Sequence, residues 1–330
     1  MSDCVYDDIF GINTDIIDVM NFMELIVVDS LKMNVLLQRY YLEAVGVISF
    51  LRLIINMQYV TLNNSIQIPM LWFWVYKVPQ IEAKETVLNA IKTGYRHIDT
   101  AQYYENERWV WQAIKASGID RKDFFVTTKL ITKWYENTLK WIDISLQKLW
   151  YDYFDLILIH RPKWDNLSIY KALETSYKQW KCKAIWLSNF NEEQFLEIYE
   201  NCEIKPVINQ IETHIMWQQW KMHDFLQKYD CIHESRSPLW AWRFNLFENE
   251  TLINIAKKYN RTVAQIMLRF FIQNGIIVIP KSSHIERMKE NFKVFDFILD
   301  EEDITKIKAL DQRISYTNRP ETMLKEQIYW

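Results

Sequence analysis

The chain has 330 residues, with 39 basic against 42 acidic side chains and a net charge of −3, which leaves no electrostatic footprint for nucleic acid or an anionic membrane. Its longest apolar candidate, residues 44–55, carries Arg52 and falls short of the roughly 18 residues a membrane span needs, and the acidic first residues do not resemble a secretory leader. Cys4, Cys182, Cys202 and Cys231 form no CxxC pair and the six histidines no HExxH, so the expectations are free thiols in a reducing cytoplasm and no metal. One imbalance stands out: 15 tryptophans against 5 glycines, where average usage of ~7% would give about 23 glycines.

In chain order, residues 1–56 are apolar-rich with little turn punctuation, and they are expected to be either an extra helical N-terminal segment or an upstream extension wrongly joined to the gene, outside the domain formed by 57–330. Residues 58–68 read as a β-hairpin with Asn63-Asn64 at its turn. From residue 70 the pattern alternates. Short apolar or β-branched runs at 73–76, 95–98, 124–128, 155–159, 183–187, 206–209, 231–234 and 276–279 predict eight strands. Helical periodicity at 81–93, 106–117, 135–149, 168–179, 192–200, 218–229, 248–260 with 263–273, and 284–291 predicts the connecting helices. Eight β–α repeats in about 250 residues are the count and size of a (β/α)8 TIM barrel, an α/β fold. A doubly wound open sheet fits less well, because no GxGxxG follows the first strand even with Trp72 and Trp74 read as glycine.

A (β/α)8 barrel gathers its reactive groups at the C-terminal ends of its strands. Those ends supply Asp99 with nearby Tyr104, then Lys129, then His160. Each alone has an ordinary structural role, as a cap, a packed ring, a solvated charge or a core histidine. Together they are complementary. A free tyrosine titrates near ~10, an adjacent ammonium lowers that value, an aspartate holds the ammonium charged, and a histidine orients a carbonyl oxygen. Such a set protonates an oxygen while hydride reaches the adjacent carbon, which is carbonyl reduction by a nicotinamide cofactor.

Over residues 59–328 the chain resembles the aldo-keto reductase superfamily, and within it the 2,5-diketo-gluconate-reductase-like members. Gly94-Tyr95-Arg96-His97-Ile98-Asp99-Thr100-Ala101 with Tyr104, Asn106 and Glu107 matches its first signature. Residues 156–160 and 184–190 with Asn191 match the second, and Ile279-Pro280-Lys281-Ser282 with Arg287, Glu290 and Asn291 the third. The resemblance implies a soluble, monomeric, cytoplasmic reductase of small carbonyl compounds that uses NADPH. It implies Tyr104 as general acid, Lys129 as its modulator, Asp99 as the lysine's partner and His160 as substrate orienter. It further implies Ser188, Asn189 and Gln210 on the nicotinamide carboxamide and Ser237 in the cofactor site. Lys281, Ser282 and Arg287 would take the 2′-phosphate, and Glu290 and Asn291 the adenine. Two cations and a hydroxyl at the start of a helix suit a phosphate on physical grounds as well. A non-catalytic NADPH-binding barrel, acting as redox sensor or partner subunit, is the alternative, and the complete tetrad argues against it. The pocket departs from the family at Arg161 and Arg236, where aromatics are common, and at Ile131 and Phe270, where relatives often carry Trp.

The same resemblance places glycine where this chain has Trp72, Trp74, Trp111, Trp134, Trp150, Trp180, Trp186, Trp240 and Trp242. Overpacking a core costs ~1–3 kcal/mol per site, so nine indoles would exceed a typical stability of ~5–15 kcal/mol. The expectation is a codon that the cell reads as glycine, such as a reassigned UGA, translated here as tryptophan.

Overall fold

A computed structural model describes residues 59–149, 151–239 and 245–315. The segment 1–56, Trp150, Trp240, Trp242 and the tail 317–330 lie outside the described residues. The expected hairpin forms from β1 (Tyr59–Thr61) and β2 (Gln67–Pro69), antiparallel with Val60 opposite Ile68. The Asn64 side chain accepts from Ile66 N at 3.3 Å inside the turn, the local bond that favours Asn there. Leu62 and Ile68 are buried against the apolar side chains inside the barrel.

Eight parallel strands follow: β3 (Phe73–Trp74), β4 (His97–Asp99), β5 (Phe125–Leu130), β6 (Leu156–Ile159), β7 (Ile185–Ser188), β8 (Ile208–Glu212), β9 (Ile232–Arg236) and β10 (Ile277–Ile279). Each pairs with the next in sequence order, and the sheet curls until β10 reaches β3. There Leu71 bridges Val278, Trp72 N donates to Val278 O at 3.0 Å, and Val278 N to Met70 O at 3.0 Å. The result is a nearly closed (β/α)8 barrel, as the alternation predicts.

The helices α1 (Gln80–Thr93), α2 (Glu107–Ala116), α3 (Tyr135–Leu149), α4 (Asn166–Lys178), α5 (Glu192–Asn201), α6 (Trp220–Gln227), α7 (Glu250–Tyr259) and α8 (Val263–Gln273) connect them, and α9 (Ile285–Phe292) and α10 (Glu301–Lys308) follow the last strand. Alternation along each strand sorts its apolar residues into two compartments. On β6, Leu156 and Leu158 join the cluster that fills the barrel, while Ile157 and Ile159 join the layer beneath the helices. Helix starts follow their side chains: Asn191 with Gln194 and Thr262 with Gln265 form capping boxes at α5 and α8. α8 is buried along most of its length, consistent with its continuous apolar sequence. α10 is an addition to the expected elements, nucleated by Asp300 accepting from Asp303 N.

Candidate active site

The C-terminal ends of β4, β5 and β6 bring the four expected residues to one mouth. Asp99 ends β4 and Lys129 lies on β5, both fully buried, and their side chains form an ion pair. A single 3-10 turn at Gln102–Tyr104 lifts Tyr104 over that pair, and Lys129 Nζ donates to Tyr104 Oη at 3.2 Å. The His160 ring meets the Tyr104 ring edge-on, 6.1 Å between centroids.

Electrostatics fix the protonation of this group. Burial works against the Lys129 ammonium, but Asp99 and the tyrosine outweigh it and raise Lys129, so the lysine stays cationic. Burial, then the cations Lys129, Arg161 and Arg236, hold His160 well below the usual histidine range, so its imidazole is neutral and offers one N–H donor. Tyr104 differs from the sequence-based expectation of a lowered pKa. Burial is its largest influence and raises it, while Lys129 pulls in the other direction. The phenol therefore keeps its proton until a partner takes it.

Two further neighbours, neither expected at the site from the sequence, surround the tetrad. Trp74, on β3, donates its indole N–H to Tyr104 Oη at 2.9 Å, and Lys129 Nζ lies 5.6 Å from its ring centroid. Glu234, on β9, is fully buried, and Gln210 Nε2 ties it to the pair: that nitrogen donates to Glu234 Oε1 at 2.8 Å and to Asp99 Oδ2 at 3.2 Å. Burial, with Asp99 nearby, pushes the Glu234 carboxyl well above the usual carboxylate range, so it is a neutral acid. A glutamate closing a short apolar strand run (231–234) looks like an edge residue; only barrel closure shows that it faces the lumen.

The expected cofactor residues fall into two groups. Ser188, Asn189, Gln210 and Ser237 cluster at the ends of β7, β8 and β9. Ser188 Oγ donates to Gln210 O at 3.0 Å, and Asn189 Nδ2 to His160 O at 2.9 Å. Gln210 Oε1 and Ser237 Oγ are buried without a partner among the described residues, an arrangement that suits a ligand's polar groups. Lys281, Ser282, Arg287, Glu290 and Asn291 lie on the β10–α9 loop and α9. Lys281 and Arg287 are exposed, while Ser282 Oγ accepts from His284 N at 3.1 Å. Although its side chain reaches solvent, desolvation by its surroundings and then the Lys77 charge lower Lys281, with Glu82 opposing them. Two crowded cations suit an anion. Glu290 is already engaged, its carboxylate accepting from Thr262 Oγ1 at 2.7 Å, and Asn291 is buried.

The aldo/keto reductase family model matches residues 70–240 and 224–312. The chain belongs to the aldo/keto reductase family. Among aldo/keto reductase relatives it is 40% identical to a 9,11-endoperoxide prostaglandin H2 reductase of Trypanosoma cruzi, over 78% of this chain and 93% of that protein. It is also 40% identical to the glyoxal reductase of Bacillus subtilis, over 80% of this chain and 97% of that one. A crystal structure of an aldo/keto reductase from Brucella melitensis superposes with a TM-score of 0.74 at 43% identity, covering 77% of this chain and 99% of that one. Membership makes the protein an oxidoreductase that works with a nicotinamide cofactor on small carbonyl compounds. Among the described residues of this aldo/keto reductase no group of His, Cys, Asp and Glu could hold a metal, and no helix is long and apolar enough to cross a membrane.

Proposed function

We propose that the protein reduces a small aldehyde or ketone to its alcohol, with NADPH as hydride donor and Tyr104 as general acid. The observation that carries this reading is the buried Asp99–Lys129 pair bonded to the half-buried Tyr104, with neutral His160 across from it. Bound NADPH supplies the hydride that goes to the carbonyl carbon. The remaining work belongs to the chain. His160 donates its N–H to the carbonyl oxygen and orients it, and Tyr104 gives that oxygen its proton. Lys129, held by Asp99, stabilises the phenolate left behind. A protonated tyrosine is the correct starting state for that step, and the upward push of burial on Tyr104 keeps it so.

Ser188, Asn189, Gln210 and Ser237 would hold the carboxamide end of the cofactor. Lys281, Ser282 and Arg287 would hold its 2′-phosphate, with Glu290 and Asn291 beside the adenine. The unpartnered Gln210 Oε1 and Ser237 Oγ and the crowded Lys281–Lys77 pair are the features that fit. A small dicarbonyl is the substrate class to try first, since a relative of matching length is named glyoxal reductase.

The test is oxidation of NADPH and of NADH by protein purified from the cells that make it, with glyoxal as substrate. Each charge-assisted phosphate contact contributes about 1.5–3 kcal/mol, so Lys281→Ala and Arg287→Ala should each lower kcat/KM with NADPH roughly 10- to 100-fold while NADH changes little. Equal losses with both cofactors would remove the phosphate assignment.

A further inference from the structure

Four tryptophans sit where the fold has no use or no room for an indole. Among the described residues, five hydrogen-bonded helix ends share one pattern, in which a residue within three positions of the helix adopts a left-handed backbone. Its N–H reaches back three residues, and the next N–H reaches back five. Gly94, Asp230, Asn260 and Gly275 fill four of these ends, the residue types that tolerate positive φ. Trp180 fills the fifth, at φ 61, with Trp180 N donating to Tyr177 O at 2.9 Å and Lys181 N to Ser176 O at 2.9 Å. Its ring is 84% exposed and gains no burial in return.

Trp72 and Trp186 are fully buried inside the barrel. The Trp72 ring lies only 3.3 Å, centroid to centroid, from His97, and its Nε1–H meets Pro69 O at 2.5 Å. Aromatic pairs ordinarily sit about 4.5–7 Å apart and N–H···O bonds at about 2.7–3.2 Å. Trp186 packs 4.9 Å from Trp72, and its buried Nε1–H has no acceptor among the described residues. Buried indoles normally find one. Trp74 places its indole against Tyr104 Oη, 2.9 Å from the oxygen that must approach a substrate, and Tyr76 stacks on its other side at 5.0 Å. Trp134 and Trp111 carry no comparable backbone signal: neither has positive φ.

We infer that the working enzyme carries glycine, not tryptophan, at positions 72, 74, 180 and 186, its cells decoding that codon as glycine, and that an indole at position 74 closes the pocket over Tyr104. The 15 tryptophans and 5 glycines of the chain are the global form of the same substitution. The closure at position 74 rests on the reading of Tyr104 as the acid; the identity of the four residues does not.

Peptide mass spectrometry of the protein purified from its own cells tests the identity directly. Peptides spanning the four positions are expected to contain glycine, and tryptophan at position 74 or 186 overturns the inference. Two synthetic genes test the consequence, one encoding the tryptophan-bearing chain and one carrying Trp72→Gly, Trp74→Gly, Trp180→Gly and Trp186→Gly. The glycine chain is expected to melt at a higher temperature and to bind NADPH at least about tenfold more tightly by titration calorimetry. Equal melting and equal binding by the two chains contradict the inference. Glycine in the native peptides together with a glycine chain that folds, binds NADPH and turns over no carbonyl would leave the residue identities standing and overturn the reductase reading instead.

Discussion

Among the described residues Lys129 holds the one buried ammonium, and two buried carboxyl groups, Asp99 and Glu234, act on it. Removing one partner of a buried pair leaves an uncompensated charge, at a cost of about 3–5 kcal/mol. Lys129→Met should therefore lower the unfolding free energy from urea denaturation by an amount in that range as well as suppress turnover; a change below about 1 kcal/mol would mean that the pair is not sealed from water. Glu234 contributes with the opposite sign. Its folded pKa lies far above its unfolded one, so the native state keeps a proton that the unfolded chain releases near ~4.3. Stability then falls as pH rises above that value, by about 1.4 kcal/mol per pH unit until Glu234 ionises. Burial lowers His97, His160 and His233, so these work the other way and cost stability as pH falls below ~6.5. Glu234→Gln, which keeps an acceptor for Gln210, should gain on the wild type steadily between about pH 5 and about pH 7. Parallel stability profiles would show that Glu234 is ionised in the native protein.

At the scale of elements, punctuation was the most legible part of the chain. Asn63-Asn64 marks the hairpin, the expected helix starts at residues 192 and 263 are those of α5 and α8, and the expected strands lie within a few residues of those observed. α10 was equally readable in principle, since Glu301, Glu302 and Asp303 open it and Lys306 and Lys308 close it, matching the helix dipole. It was overlooked because the barrel repeat ends at residue 279 and supplies no reason to expect another helix. Gly94 shows how strictly one such end is specified. It closes α1 at φ 119, and a Cβ there would stand 2.7 Å from the Phe292 ring. Gly94→Ala should cost about 1–3 kcal/mol, read as a lower denaturation midpoint; an unchanged midpoint would mean that α9 shifts freely away from α1.

For the whole molecule, period and count were enough to reach the barrel, because β–α alternation leaves few other ways to bury both faces of a parallel sheet. The meeting of Asp99, Tyr104, Lys129 and His160 was legible because barrel closure sends successive strand ends to one mouth. What sequence could not show was the interior: that Glu234 hangs beneath Asp99 through Gln210, and that the side chain at position 74 stands against Tyr104. Both depend on which strands become neighbours across the lumen, a property of the closed sheet and not of any one segment. The tryptophan excess belongs to this scale too, since the crowding it brings is visible where rings meet inside the barrel.

The proposed reduction depends above all on Tyr104 as proton donor. Tyr104→Phe, made in the glycine-bearing chain, keeps the ring and removes only the hydroxyl. General acid catalysis contributes roughly 10²- to 10⁴-fold, so kcat for glyoxal reduction should fall by that factor while the Kd for NADPH stays within about twofold. Turnover that survives the substitution undiminished would rule out Tyr104 as the acid.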